Sequence, residues 1–468
     1  MLDKRGVLAI GCLVFSVPSF AAAKEQPSPV LAAAKAELTR SMRELGKQPE
    51  PPYFIAYQIT HTHTWSTEAS YGTLTRSDEN VRRILDIDLR VGSHELDNTH
   101  PVRGGFPWEM SRGFREVVLP IEDDPMALRS VIWYQTDRRY KRALEDLAKA
   151  RTNVQVKVEA EDRSPDYSAE EPANFVQGIA KLHLDAKAWE DKVRRYTAPF
   201  AAHDNIYDAR ATFTATEETR WLVNSEGSTL QTSNTLFRLM ISAYSKAEDG
   251  MQLPRYESYF ACAENAMPSD AVVQAAVDRM IQDLLALREA PIVDPYIGPA
   301  ILSGRASGVF FHEIFGHRIE GLRQKDEEEG QTFKKKIGEK LLPETFSVYF
   351  DPTVKRLADT DLVGTYSYDD QAVKARRVSV IENGVFENFL MSRTPIAGFP
   401  RSNGHGRKAA GFAPVARQSI LIVEVARPLT REGLKQELLR RIQQEGKPFG
   451  LIFDDIQGGF TMTGRMMP

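Results

Sequence analysis

Residues 312–317 read His-Glu-Ile-Phe-Gly-His and lie in an apolar segment whose pattern predicts a helix over residues 304–322. Two neutral imidazoles hold a metal ion well, and a carboxylate beside them can accept a proton from a water molecule. The familiar zinc-binding motif, H-E-x-x-H, is one residue shorter than this stretch, which reads H-E-x-x-x-H. The extra residue decides whether both rings can reach one metal ion.

A regular α-helix would separate the two rings. Positions five apart differ by about 140° around the helix axis, so His312 and His317 would face different directions. A π-turn widens a helix, and Gly316 is the residue at which this helix deforms most easily. We predict a π-turn or a break at Gly316, which brings both rings to one metal ion with Glu313 beside it as the general base. The alternative is that these residues occur by chance on a core helix.

The composition excludes several classes of protein. The chain has 468 residues, of which 42% are hydrophobic and 26% charged, an ordinary globular balance with enough length for two or three domains. Sixty Lys and Arg against 64 Asp and Glu give a net charge of −4, so neither a nucleic-acid-binding surface nor a polybasic membrane-binding surface is indicated. Beyond the N-terminus no segment reaches about 18 uninterrupted apolar residues, and no stable membrane span is expected.

The N-terminus has the features of a signal peptide. A short positive region precedes an apolar run at residues 7–20, and three alanines at residues 21–23 form a cleavage site. We expect residues 1–23 to be removed and the mature protein to be exported, either to a bacterial periplasm or as a secreted protein. Removal would take away Cys12 and leave Cys262 alone, so no intramolecular disulfide is predicted.

Helix and strand patterns are mixed along the chain without a regular β-α-β repeat, which favours an α+β fold over a doubly wound sheet. Residues 85–91 alternate strictly between apolar and polar side chains and predict a strand with one buried face. Asn383 and Gly384 predict the type I′ turn of a hairpin. The other predicted elements are helices at residues 29–46, 126–149, 269–289 and 430–444, and strands within residues 206–245 and at residues 298–302 and 450–454.

These elements divide the chain into four parts. The signal peptide precedes an N-terminal α+β domain with a linker at residues 24–175 and a middle α+β domain at residues 176–292. A C-terminal domain at residues 293–468 is rich in strands and contains the motif helix. The predicted fold class is therefore α+β, with mixed α/β N-terminal domains followed by a β-rich C-terminal domain that carries the metal-binding helix.

The stretch at residues 310–321 resembles the signature of the TldD/PmbA family of metallopeptidases. The segments at residues 368–373, 382–385 and 402–407 match the family's pattern in the same order. The resemblance covers the chain from about residue 295 onward and is fainter before it. It implies a zinc-dependent peptidase that acts on unfolded or extended peptides inside a dimer.

The family contains two kinds of subunit, one with the metal motif and one without it. Because His312, Glu313 and His317 are present, this chain resembles the metal-bearing kind, with the histidines as zinc ligands and Glu313 as the catalytic general base. His405 and Arg407 lie in a Gly-flanked polar loop. We predict that they contact the substrate, or that they contact the zinc ligands without binding zinc themselves. The alternative for His405 is a solvated loop histidine.

The third zinc ligand is missing from its usual place. In the family it is a cysteine in a Gly-rich segment near the C-terminus, but here no cysteine follows Cys262. The chain ends at Pro468 within a region that resembles a strand and turn of the family, so we expect a truncated product whose missing segment supplies the ligand. A local carboxylate, His405 or Cys262 are the alternatives, although Cys262 is expected to be a small core residue.

Two functions are therefore predicted from the sequence. The first is a zinc-dependent metallopeptidase that cleaves peptides as a homodimer, or as a heterodimer with a related TldD/PmbA-like subunit. The second is a catalytically inactive partner or binding subunit of such a dimer, which has lost its third ligand.

Overall fold

The computed structural model describes residues 28–102, 116–156, 162–325, 331–358 and 360–456. The predicted signal peptide, with its cleavage site and Cys12, and the predicted truncated end at Pro468 lie outside the described residues. No helix in these five ranges combines the length and the apolar character that crossing a lipid bilayer requires.

A seven-stranded sheet forms the larger layer of the molecule. Its strands are β1 (Pro52–Ser70), β2 (Thr73–Val91), β3 (Val117–Val118), β4 (Asn174–Val176), β5 (Ile206–Asn224), β6 (Thr229–Lys246) and β7 (Gln252–Ala261). β1 pairs antiparallel with β2 on one side and with β5 on the other, and β6 follows β5. The outer side of β6 is shared by β4 and β7. The predicted segments 24–175 and 176–292 thus contribute to one sheet, and their division into two domains stays a prediction.

Two pairs of helices cover one face of this sheet. They are α1 (Pro29–Leu45), α2 (Pro125–Val156), α3 (Ala186–Thr197) and α4 (Asp270–Glu289), and the three helices predicted in this part of the chain are confirmed. Side chains alternate between faces along a strand, so Tyr57 and Ile59 point to the same face as Phe213 of the neighbouring strand. The first two pack in a core with α1 and α2, and Phe213 packs in a second core with α3 and α4.

The opposite face of the sheet carries both polar and apolar side chains and contacts the C-terminal part of the chain. The prediction that residues 85–91 have one buried face is wrong, because the alternate residues Asp86 and Arg90 are also buried. Ion pairs permit this burial: Lys408 pairs with Asp86, and Arg90 pairs with Asp97 at 2.9 Å. Charged side chains can lie inside a protein when each has such a partner.

The C-terminal part contains a four-stranded sheet and three two-stranded sheets. The strands are β8 (Ala300–Leu302), β9 (Phe346–Phe350), β10 (Arg356–Leu357), β11 (Thr360–Asp361), β12 (Val378–Glu382), β13 (Val385–Phe386), β14 (Gly406–Arg407), β15 (Val415–Ala416), β16 (Leu421–Val425) and β17 (Leu451–Phe453). The helices are α5 (Gly304–Phe310), α6 (Leu322–Lys325) and α7 (Arg431–Gln444). Asn383 and Gly384 both have positive φ angles, 48° and 84°, which confirms the predicted turn between β12 and β13. The α+β fold class is confirmed.

Candidate metal centre

The segment that carries the motif is anchored where α5 begins. Ser303 precedes α5, and both its backbone N–H and its hydroxyl donate to the carbonyl oxygen of Phe453 at 3.0 Å. β8, which leads into Ser303, pairs in parallel with β17. Arg305, in the first turn, donates to the Tyr256 carbonyl oxygen and pairs with Glu257 on β7. The start of α5 is therefore held both by β17, the last described strand, and by the large sheet.

The predicted π-turn or break at Gly316 is confirmed. After α5 the chain makes one π-helical turn over Phe311–Phe315 and then a 3₁₀ turn over Gly316–Ile319. The wider turn compensates for the five-residue spacing, and the ring centroids of His312 and His317 lie 4.7 Å apart. Both rings therefore face one site, as the chemistry of a metal centre requires.

The structure gives Gly316 a different role from the predicted one. Its backbone lies in the ordinary helical region, with φ −59° and ψ −46°, so its torsion angles do not require glycine. A Cβ at this position would overlap the amide group of Gln418 in its present position. Gln418 Nε2 in turn donates to the carbonyl oxygen of His312 at 3.3 Å. The glycine lets the Gln418 side chain pack against the turn that carries the histidines.

His312, Glu313 and His317 form the donor cluster, in which one ligand atom of each residue lies within 4.8 Å of the others. Nε2 of His312 is 3.7 Å from Oε1 of Glu313, and Nε2 of His317 is 4.0 Å from Oε2. The side chain of His312 is 52% exposed, whereas those of Glu313 and His317 are mostly covered. The cluster therefore opens to solvent at His312. Burial, together with the charge of His317, lowers the pKa of His312, which favours the neutral ring that binds metal.

Glu320, which the sequence analysis did not single out, orients His317. Its carboxylate is 2% exposed and lies 3.1 Å from Nδ1 of His317. Burial by itself would raise the pKa of Glu320, but the His317 hydrogen bond and the charges of Arg323 and Arg417 lower it below its ordinary value. An ionised carboxylate can only accept, so His317 donates through Nδ1 and its Nε2 is left for a metal ion.

Replacing Glu320 with glutamine should weaken zinc binding by about 10- to 100-fold, the usual effect of removing a carboxylate behind a metal-binding histidine. Competition with a chromophoric chelator measures the affinity, and thermal unfolding shows whether the variant remains folded. Glu387→Gln is the matched control, since it removes the same charge from an exposed position. Equal zinc affinities in the two variants would show that other contacts orient His317.

His405 and Arg407 lie outside the donor cluster. The ring of His405 is fully buried, so the alternative of a solvated loop histidine is wrong. Its Nε2 lies 3.0 Å from the Ser419 hydroxyl, and burial lowers the pKa of His405 to about 4. Arg407 pairs with Asp370 at 3.2 Å, and its guanidinium lies over the ring of Tyr366. Their roles in contacting the substrate or supporting the zinc ligands stay predictions.

Of the groups considered as a replacement for the third zinc ligand, one type lies within the donor cluster. In the described part of the chain, neither His405 nor Cys262 joins the donor cluster, and the carboxylate within it is that of Glu313. Cys262 is exposed, so the prediction of a small core residue is wrong. It follows the last residue of β7, where the strand leaves the sheet, and its N–H donates to Asp361 at 3.1 Å.

Comparison with known proteins agrees with this geometry. Residues 296–463 match the family model of the PmbA/TldA metallopeptidase C-terminal domain. The chain is 26% identical over 224 residues to a metalloprotease of Methanothermobacter thermautotrophicus, a match that covers 47% of this chain and 46% of that relative. It is 33% identical over 168 residues to a metalloprotease of Methanocaldococcus jannaschii, which covers 35% of this chain and 33% of that relative. The chain thus spans less than half the length of these curated relatives.

The solved structure of TldE from Thermococcus kodakarensis resembles this chain over most of its length. The TM-score is 0.55, and the superposition covers 91% of this chain and 83% of that one. The sequences are 13% identical, so this likeness shows a common fold and carries no statement about activity.

Proposed function

This chain is a member of the TldD/PmbA family, with the family's metallopeptidase domain at residues 296–463, and from this premise we propose that it is a zinc-dependent peptidase that hydrolyses unfolded or extended peptides. The observation that carries the proposal is the donor cluster of His312, Glu313 and His317, which the π-turn brings within 4.8 Å. The relatives named as metalloproteases support the general class.

The residue types of the donor cluster are ones that zinc binds. Imidazole nitrogens are typical zinc ligands, and a catalytic zinc site keeps one position open beside its protein ligands. His312 and His317 would hold the ion through Nε2, the atom of each ring that lies nearer Glu313. Catalytic zinc sites normally use three protein ligands, and the described cluster contains two histidines and one carboxylate.

In the proposed hydrolysis, each side chain at the site has a separate role. Zinc bound there would polarise the scissile carbonyl group and make a water molecule more acidic. Glu313 is largely covered and lies beside both rings, so its carboxylate is placed to take a proton from the attacking water and to pass it to the leaving amine nitrogen. Glu320 keeps His317 in the correct orientation. The exposed side at His312 leaves room for an extended peptide.

A second function is favoured by the small ligand set. With two histidines in the described cluster, zinc is held more weakly than in a site with three protein ligands. A chain of this kind would act as a catalytically inactive partner or binding subunit, in which the fold and the remnant of the centre persist without hydrolysis.

The proposal also includes an assembly and a location. A homodimer, or a heterodimer with a related TldD/PmbA-like subunit, follows from the family membership, and export to a periplasm or secretion follows from the signal-peptide pattern at residues 1–23. Light scattering of the purified protein measures the first, and fractionation of the producing cells measures the second. A monomer or an unprocessed cytoplasmic chain would contradict the respective part.

The purified protein should bind about one zinc ion per chain, as a single catalytic centre does, and should cleave an unstructured peptide. Elemental analysis measures the metal, and mass spectrometry measures cleavage before chelation, after chelation and after zinc is restored. Cleavage should disappear with the metal and return with it. Zinc binding without cleavage would favour the inactive subunit, and a chain that neither binds zinc nor cleaves peptides would contradict the peptidase proposal.

A further inference from the structure

Arg417 lies beside the donor cluster with a guanidinium that is only loosely engaged. Its backbone is fixed, since its N–H donates to the His405 carbonyl oxygen at 2.9 Å and it directly follows β15, which pairs with β14. Its side chain is 47% exposed, and among the described residues it makes one ion pair, at 3.4 Å to Oε2 of Glu320. Glu320 in turn contacts His317. One residue therefore separates this cation from a metal-binding ring.

Glu320 has two cationic neighbours. Its single carboxylate is contacted by two guanidiniums, that of Arg323 at 2.7 Å and that of Arg417 at 3.4 Å. Of the two, Arg417 is the more exposed and lies farther from the carboxylate, so its guanidinium is the one with room to contact a ligand.

We propose that Arg417 binds the negative charge of the substrate at this centre. The inference rests on the proposed peptidase function and adds a residue to it. The charge has two possible sources of the same chemistry: the carbonyl oxygen of the scissile bond, which becomes an anion as water adds to the carbonyl carbon, or a carboxylate already present at the peptide's C-terminus. A guanidinium suits both, because it can offer one N–H to an oxyanion or two parallel N–H groups to a carboxylate.

A purely structural role explains the contacts of Arg417 less well. Arg393 shows what such a role looks like in this molecule: its side chain is 1% exposed, and it pairs with Glu226 at 2.6 Å. Arg417 has a longer ion pair and nearly half of its side chain in solvent. Because Arg323 already contacts Glu320 at the shorter distance, Arg417 can turn toward a ligand without leaving that carboxylate unpaired.

The test compares Arg417→Gln and Arg417→Lys with the wild type and with Arg427→Gln, which removes the same charge from an exposed loop residue. Calorimetry on the zinc-loaded proteins measures the binding of an amidated phosphinic peptide, whose anionic tetrahedral group imitates the attacked carbonyl. In the Glu313→Gln background, where peptides persist, calorimetry also measures the binding of one peptide as its free acid and as its amide. Zinc affinity is measured for every variant by chelator competition.

The two sources of charge give different results. If the reacting carbonyl is the source, Arg417→Gln should weaken the binding of the phosphinic peptide by roughly 10²-fold, in line with the loss of one oxyanion donor. The affinity for both ordinary peptides should stay unchanged. If a fixed carboxylate is the source, only the binding of the free acid should weaken, by about tenfold or more, as expected for a charge-assisted pair. Arg417→Lys should restore part of either loss, and Arg427→Gln should show neither.

Two results would overturn the inference. One is unchanged binding of all three ligands in Arg417→Gln. The other is a loss of zinc affinity that accounts for the whole effect, because Arg417 would then act only by supporting Glu320. If the wild type neither binds zinc nor cleaves peptides, the peptidase proposal fails separately, and equal affinity for the free acid and the amide would then overturn the role of Arg417 as well.

Discussion

Replacing Glu313 with glutamine should lower peptide hydrolysis by a factor on the order of 10²–10⁴, the usual contribution of a general base. Glutamine has nearly the same shape as glutamate but cannot take a proton from water. We expect His312 and His317 to stay in place, because the π-turn is a backbone feature and His317 is also held by Glu320. Zinc content and unfolding temperature should therefore remain close to those of the wild type, and the loss should appear in kcat.

Glu387→Gln is the matched control, because it makes the same chemical change at an exposed position away from the cluster. Hydrolysis rates and zinc content should be measured on the same preparations of all three proteins. If the Glu313 variant cleaves peptides as fast as the wild type, Glu313 is not the general base. If it loses zinc instead, the carboxylate is a ligand of the metal.

Replacing Lys408 with methionine should lower the free energy of unfolding by about 3–5 kcal/mol, the typical result of removing one partner of a buried ion pair. Lys408 and Asp86 are 3% and 4% exposed, so the carboxylate left behind is shielded from water. Asp86 also accepts a hydrogen bond from the N–H of Gly411 at 2.9 Å. Burial outweighs the attraction of Asp86 and lowers the pKa of Lys408. Chemical denaturation monitored by fluorescence measures the change.

Lys435→Met provides the control, since Lys435 is exposed on α7 and should tolerate the same substitution with little effect. The double variant Lys408→Met with Asp86→Asn should recover part of the lost stability, because no charge is then left buried without a partner. A single Lys408 variant as stable as the wild type would mean that the sheet and the C-terminal domain do not depend on this pair.

Inferences that depend on neighbouring residues succeeded. The spacing of His312 and His317, combined with the fixed geometry of a helix, was sufficient to predict the π-turn, because helix geometry is a local property. The turn at Asn383 and Gly384 was predicted for the same reason. Glu320 was within reach of such reasoning: it follows His317 by three residues, a spacing that brings side chains together on a helix.

Inferences that depend on distant parts of the chain failed. Nothing near Gly316 in the sequence indicates that Gln418 packs against it, and nothing near Glu320 indicates Arg417. The same limit explains the wrong prediction for residues 85–91: an alternating pattern suggests a solvated polar face, yet Lys408 from the C-terminal domain covers Asp86. Ion pairs between residues far apart leave no periodic signal.

The anchoring of α5 by β17 has a consequence for biosynthesis. Ser303 and the carbonyl oxygen of Phe453 that it contacts are separated by 150 residues along the chain. During translation the two histidines emerge from the ribosome well before their anchor exists, and closing so long a loop is slow compared with forming a local helix. The nascent chain therefore passes through a stage in which α5 lacks its contact with β17, while the contact of Arg305 with β7 can already form. The segment that carries His312 and His317 therefore reaches its final contacts only after β17 has been synthesised.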